Sequence, residues 1–356
     1  RGFFGAHHVA WPRVTASGKL RLIQCGLGGM GKAWRENATA SSPDFEVVAV
    51  VDINEHALRE GGEPVGVPPE RRFRELGAAI EQVDADAVLT VTPPAVHVEH
   101  ANEAFAAGLH LLTEKPIADH FENAKQMVRR ATEAGKQLVV AQNYRYSAAM
   151  MTLRRLVADA PLGAVGHGHL DFYIAADFTG SFRETMEFPL LIDMAIHHLD
   201  LIRAVTGRNI ARVTAQSFRP QWSWYAHEPG LKILLELDDG TPFSYSGDWS
   251  ALGRQTSWNG TWRLQCAAGS IHVEQDEIAV ARCDRWGKNF HEDRVPVAPA
   301  PLNGQAALLA DFARAIRTRN PAPTSGTDNL WSFGAVMAGV ASAREGRTMT
   351  VADLLR

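Results

Sequence analysis

Leu20-Arg-Leu-Ile-Gln-Cys-Gly26-Leu-Gly28-Gly29-Met30-Gly31 begins the first regular pattern in the chain, and Phe45-Glu-Val-Val-Ala-Val-Val-Asp52 continues it. The first stretch is a short apolar strand running into G-x-G-x-x-G and then a helical segment from about Gly31. The second is nearly all β-branched or apolar, the pattern of a strand buried on both faces. A tight turn at Gly26, backbone approach to a pyrophosphate at Gly28 and close strand–helix packing at Gly31 each require a missing side chain. The helix start adds free N–H groups and the positive end of its dipole. Gly26, Gly28, Gly29, Met30 and Gly31 are therefore the candidate phosphate cradle. Asp52 falls about 20 residues beyond the loop at a strand end, where a carboxylate accepts hydrogen bonds from both ribose hydroxyls and repels a ribose phosphate. The competing reading is a packing turn followed by a surface acid. Agreement of strand, loop, helix and acid favours a dinucleotide site, and the acid favours NAD over NADP.

Outward from this unit the rhythm persists. Ala87–Val91, His110–Thr113 and Gln137–Ala141 read as strands, and Val96–Ala107 and Asn123–Ala134 as helices. Short strands alternating with helices imply a parallel sheet with right-handed crossovers. After Asn143 the pattern changes. Val165–Ile174, Ile210–Ser217, Lys232–Leu237, Phe243–Trp249, Trp262–Gln265 and Ser270–Glu274 follow with few helices between them, which predicts a large, mainly antiparallel sheet. Helices are expected at Met150–Ala158, Pro189–Thr206, Gln305–Arg317 and Asp328–Glu345. The expected division is a Rossmann domain over residues 19–143 and an α/β domain over 144–356, with the C-terminal helices free to return to the first domain.

The 356 residues suit two cores. Net charge is −4 with no block of either sign, which speaks against nucleic acid and a membrane surface. The three cysteines form neither a disulfide framework nor a zinc pattern, so a reducing, cytoplasmic setting is expected. Residues 1–18 lack the apolar run of a secretory signal and are left out of the fold reading.

Two further stretches carry chemistry. Thr92-Pro93-Pro94 with His97, and Thr113-Glu114-Lys115-Pro116, lie at carboxyl ends of expected parallel strands, where open α/β sheets bind ligands. A lysine there can reach a substrate oxygen beside a nicotinamide; its blander fate is a solvated loop. Asp193-Met-Ala-Ile-His197-His198-Leu-Asp200 places residues 193, 197 and 200 on one face of a helix that is otherwise apolar. Buried charge needs a partner or a purpose. A structural role for Asp200, a packed core role for His198 and a metal at the i, i+4 pair are the alternatives. Without further ligands no metal is expected.

GLGGMG, Asp52, TPPAVH, EKP, QNYRY and DMAIHHLD, in this order, resemble the glucose–fructose oxidoreductase / inositol dehydrogenase / rhizopine catabolism family from about Leu20 to the C-terminus. The resemblance implies a Rossmann domain joined to an open-sheet domain, assembly as homodimers or homotetramers, and a catalytic set that maps onto Lys115, Asp193 and His197. It also implies a cofactor lining of Gly26, Gly28, Gly31, Asp52, Thr92, Pro93, His97, Glu114, Lys115 and Asn143. Arg145, and less directly His198, become candidate substrate contacts. One departure is Met186-Glu-Phe-Pro189, where many relatives carry a glycine-rich run; it alters the expected pocket floor. The implied activity is hydride transfer between NAD and a secondary hydroxyl or ketone of a sugar, polyol or cyclitol. NAD-dependent glycoside cleavage through transient sugar oxidation, and a non-catalytic dinucleotide-binding regulator, are the alternatives. Trp222, Trp224, Trp249, Trp258 and Trp262 could stack on a sugar face, but sheet tryptophans more often serve packing.

Overall fold

The computed structural model describes residues 18–356. The reading of residues 1–18 therefore lies, Gly18 apart, outside the described residues. The chain forms two compact units. One contains the residues up to Glu114 together with Met127–Val139 and Leu309–Ala322; the other contains Lys115–Gln126, Val140–Leu308 and Pro323–Arg356.

The first unit is built on a six-stranded sheet: β1 (Leu20–Cys25), β2 (Phe45–Val51), β3 (Arg72–Phe73), β4 (Ala87–Thr90), β5 (His110–Thr113) and β6 (Leu138–Val140). The order is β3-β2-β1-β4-β5-β6, and the pairs from β3 through β5 are parallel. This is the Rossmann order, with β1 and β4 adjacent at the point where the winding reverses. β1, β2 and β4 are almost wholly buried, as expected for strands covered on both faces. Phe45 on β2 stacks on Phe312 with ring centroids 5.6 Å apart. Two short helices, Glu55–Gly62 and Leu76–Gln82, were not legible in the sequence.

The second unit carries a nine-stranded sheet of β7 (Val165–Tyr173), β8 (Ile210–Phe218), β9 (Gly230–Leu237), β10 (Pro242–Asp248), β11 (Thr261–Cys266), β12 (Gly269–Glu274), β13 (Glu277–Arg282), β14 (His291–Val295) and β15 (Met349–Thr350). Their order is β14-β13-β12-β11-β7-β10-β9-β8-β15. Every pairing is antiparallel except β7 with β10. β13 and β14, unassigned from sequence, extend one edge; β14 reads His-Glu-Asp-Arg-Val and is mostly exposed, a charged rim that discourages further pairing. Burial alternates along β8 and β9, so one face is covered. A Cβ on Gly339 of the helix Gly326–Glu345 would lie 3.2 Å from Leu191 and 3.8 Å from Val213 on β8, which places that helix against the covered face.

The helix expected over Pro189–Thr206 is broken. Leu190–Met194 winds as a π-helical turn, and Ala195–Thr206 continues as an α-helix ended by Gly207 at φ 69°. Trp249 and Trp262 are core residues, each 1% exposed, in line with packing. Trp222 is 62% exposed, so packing within the chain does not account for it. Among the described residues no helix is long and apolar enough to cross a membrane.

Candidate active site

The glycine loop is shaped by two close approaches. A Cβ on Gly26, at φ +84°, would lie 2.2 Å from the Val91 carbonyl oxygen, and one on Gly31 would lie 2.1 Å from the Gly26 carbonyl oxygen. Gly28 and Gly29 differ: a Cβ there meets nothing within 4 Å, so the backbone faces open space. Buried Gln24 ties the arrangement to β1, its amide donating to the Gly31 carbonyl at 3.0 Å and its oxygen accepting from Thr39 Oγ1 at 2.9 Å. Asp52 follows β2 and accepts the Leu27 N–H at Oδ2 and the Asn54 N–H at Oδ1, both at 2.8 Å. The carboxylate is thus fixed beside the loop by backbone donors. Two glycines required for packing, two opening onto free space and an oriented acid suit the diphosphate and ribose of NAD.

The other expected cofactor residues of this unit follow β4 and β5. His97 is fully buried and its Nε2 donates to the Thr92 carbonyl at 2.9 Å, which holds the Thr92-Pro93 turn. Glu114 accepts from Trp34 Nε1 at 2.7 Å. Met30 is 48% exposed on the helix that begins at Gly29. Asn143 belongs to the second unit, at the start of a 3₁₀ turn, Asn143–Tyr146.

The second unit gathers the charged set. Lys115 Nζ donates to Asp193 Oδ1 at 2.8 Å and to the Asp193 carbonyl oxygen at 2.6 Å. Arg183 completes the grip, with Nε 2.5 Å from Asp193 Oδ2. Its guanidinium lies over the rings of Phe178 and Phe182, which restrict where it can point. Burial alone would push the Asp193 carboxyl up, but the Lys115 and Arg183 cations more than offset this and hold it well below the usual carboxylate range. His197 does not join this pair. Its Nδ1 lies 3.0 Å from Gln142 Oε1, and its ring stacks on Tyr144 with centroids 4.3 Å apart. Burial, then Lys115 and His198, keep the imidazole neutral far below its ordinary range, against a smaller opposing pull from Asp193.

The structure gives two expected substrate contacts partners within the chain. The Arg145 guanidinium is held on three sides. Nε and Nη2 donate to Asp200 at 2.5 and 2.6 Å, Nη2 also to Asp328 at 2.7 Å, and Nη1 to the Pro323 carbonyl at 2.8 Å. His198 has both nitrogens engaged, by the Tyr245 hydroxyl at 3.1 Å and the Trp258 carbonyl at 3.0 Å, in a fully buried setting. Burial takes its pKa down to about 4, against a smaller upward pull from the Trp258 carbonyl. The three residues expected on one helix face meet different partners. Asp193 sits in the π turn and faces Lys115 and Arg183, His197 faces Gln142, and Asp200 faces Arg145 and Ser332.

Gln142 and Arg183 were missed. Gln142 stands directly after a run of apolar strand residues, a position where a buried amide is unusual and could have drawn notice. Arg183 lies in an irregular loop, 177–188, and its spacing from Asp193 carries no periodic signal.

A profile of the GFO/IDH/MocA oxidoreductase family, described by its NAD-binding Rossmann fold, matches residues 20–142, and the C-terminal domain of the same family matches residues 150–272. The chain belongs to this family. Its GFO/IDH/MocA relatives include a Sinorhizobium fredii protein called y4oX, 28% identical over 94% of this chain and 97% of that one. A D-apiose dehydrogenase of Paraburkholderia graminis is 27% identical over 94% of this chain and 90% of its own. An oxidoreductase from Agrobacterium radiobacter, crystallised with NAD+, L-tartaric acid and magnesium, shares the fold with a TM-score of 0.84 at 23% identity, over 94% of this chain and 99% of that one. As a GFO/IDH/MocA protein the chain is an NAD-binding oxidoreductase.

Proposed function

We propose that the protein is a dehydrogenase that oxidises a secondary hydroxyl of a sugar, polyol or cyclitol and, in reverse, reduces the corresponding ketone. The observation that carries this reading is a buried lysine–aspartate pair beside a buried neutral histidine, in a chain whose other unit has the loop and acid of an NAD site. Relatives named as dehydrogenases of D-apiose and inositol support the substrate class.

NAD would be held by the Gly26–Gly31 loop and Asp52, and the chemistry it supplies when bound is acceptance of a hydride from the carbinol carbon. Lys115 donates a hydrogen bond to the substrate oxygen and stabilises charge that develops on it. Asp193 keeps the ammonium aimed, because its carboxylate and its carbonyl both accept from the same Nζ. His197 accepts the hydroxyl proton at Nε2, which has no hydrogen-bond partner among the described residues. A small molecule is the partner, and the protein works as a homodimer or homotetramer in this reading.

The test is His197→Ala, assayed for NAD reduction with a panel of sugars and cyclitols. Turnover on the best substrate should fall by about two to four orders of magnitude while NAD binding persists. Normal turnover in that variant would refute the role given to His197.

A further inference from the structure

We propose that Gln142, rather than Asp193, is the residue that positions His197 for proton transfer, by holding the proton of the neutral ring on Nδ1. The role given to His197 as proton acceptor is the reading above, and the inference rests on it.

A neutral imidazole carries one ring proton, and the partner of one nitrogen decides where it resides. Among the described residues, the His197 ring has one hydrogen-bond partner, Gln142 Oε1 at 3.0 Å from Nδ1. An amide oxygen only accepts, so Nδ1 carries the hydrogen and Nε2 keeps the lone pair. Asp193, four residues before His197, makes no hydrogen bond to its ring; its oxygens accept from Lys115 and Arg183 instead. The alignment is constrained on every side. The Gln142 N–H donates to the Val140 carbonyl at 2.7 Å, and its carbonyl accepts from the Arg145 N–H at 3.3 Å. Tyr144 lies against the histidine ring with 26° between the planes. Both partners are buried, Gln142 to 1% exposure and His197 to 4%.

The other end of the amide supports a functional reason for it. Gln142 Nε2 is buried without a hydrogen-bond partner, which is unfavourable in the folded state. An apolar side chain of similar size would fill the position without that penalty.

The partner's lack of charge matters too. When His197 takes a proton at Nε2, Nδ1 still donates to Oε1, so the contact survives the transfer. A carboxylate in the same place would also stabilise the imidazolium; an amide leaves it high in energy and ready to release its proton. The charged and titratable groups that face His197 are Lys115, Asp193, His198 and the Tyr144 phenol; Lys115 and His198 work against the imidazolium and Asp193 favours it.

Ring-¹⁵N histidine NMR of the full chain with NAD added tests this, with His197 assigned by the resonances lost in His197→Gln. In the unmodified protein between about pH 6 and 8, Nδ1 should resonate as protonated and Nε2 as unprotonated. Gln142→Leu should abolish that preference and lower turnover without loss of NAD binding. Gln142→Glu, of the same size, should raise the His197 midpoint by about one to three pH units and move the acid limb of oxidation up by the same amount. An Nε2-protonated ring in the unmodified protein, or an unchanged tautomer in Gln142→Leu, overturns the proposal. The expected tautomers together with normal turnover in His197→Ala would leave the positioning intact and remove the proton-acceptor reading instead.

Discussion

Lys115 reaches across 78 residues of sequence to hold Asp193 twice, through the carboxylate at 2.8 Å and through the backbone carbonyl at 2.6 Å. The second contact secures the backbone of the π turn as well as its side chain, so the pair is structural and chemical at once. Asp193→Asn leaves Lys115 and Arg183 without their anion. At neutral pH it should cost about 3–5 kcal/mol in chemical denaturation, the usual penalty for breaking a buried pair. The pH sign follows from the depressed carboxyl. Its folded value lies below the unfolded value of about 3.9, so the stabilisation is complete above that value and is lost as pH falls toward the folded one. Unfolding free energy measured down from about pH 5 should therefore fall more steeply in the unmodified protein than in Asp193→Asn. Parallel slopes would show that the pair does not titrate as assigned.

Arg183 supplies the second cation, from a loop whose Phe178 and Phe182 rings bracket the guanidinium. In Arg183→Ala the Asp193 carboxyl loses one of its two counter-charges and moves up toward its ordinary range. The acid limb of turnover should shift to higher pH, and Arg183→Lys should restore it incompletely because one ammonium cannot reproduce the fork. A pH–rate profile identical to that of the unmodified protein would remove Arg183 from the site.

The two kinds of glycine in the loop separate folding from binding. Gly26→Ala places a methyl 2.2 Å from the Val91 carbonyl oxygen at a φ of +84°, and a loss of about 2–5 kcal/mol in stability is expected. Gly28→Ala has φ −64° and open space around the new methyl. Its unfolding free energy should stay within about 0.5 kcal/mol, while NAD affinity weakens by about tenfold or more as the methyl meets the diphosphate. Equal NAD affinity in Gly28→Ala would mean that the cofactor lies elsewhere.

Asp52 accepts one backbone N–H at each oxygen and follows the strand that borders β1. Asp52→Ser removes a charged acceptor for the ribose hydroxyls and the repulsion toward a ribose phosphate. The ratio of kcat/KM for NAD over NADP should fall by roughly 10–100-fold, the loss of one hydrogen bond to a charged group. An unchanged ratio would assign cofactor choice to other residues.

What the sequence disclosed divides along physical lines. Gly26, Gly31 and Asp52 were legible because their roles depend on local backbone geometry, at fixed distances from a strand end. The strands β1 and β2 were legible because burial on both faces leaves a mostly apolar run. β13 escaped notice because four Ile, Ala and Val residues between two charges are short and ambiguous, and β14 because it is polar up to its last residue. The π turn that carries Asp193 was not legible because nothing in the apolar run around it marks a change of helical winding. The pairing of Arg145 with Asp328 was not legible because it spans 183 residues, and no local pattern records it.

That distant pairing yields a last prediction. Asp200 is 1% exposed and accepts from Arg145 Nε at 2.5 Å, from Arg145 Nη2 at 2.6 Å and from Ser332 Oγ at 2.6 Å. Arg203, one turn further along the same helix, binds Asp328 at 2.8 Å and Ser332 at 2.6 Å. The network therefore joins the helix Ala195–Thr206, the turn Asn143–Tyr146 and the helix Gly326–Glu345, and none of its carboxylates faces Lys115. Asp200→Ala should cost about 3–5 kcal/mol, since it takes one of two carboxylates from the buried Arg145 guanidinium and leaves its Nε without an acceptor. Its effect on chemistry should be indirect. At temperatures where the variant is folded, the pH dependence of turnover should match the unmodified protein even if its amplitude drops. A displaced pH profile would instead connect Asp200 to the proton path through Gln142, whose carbonyl accepts the Arg145 backbone N–H.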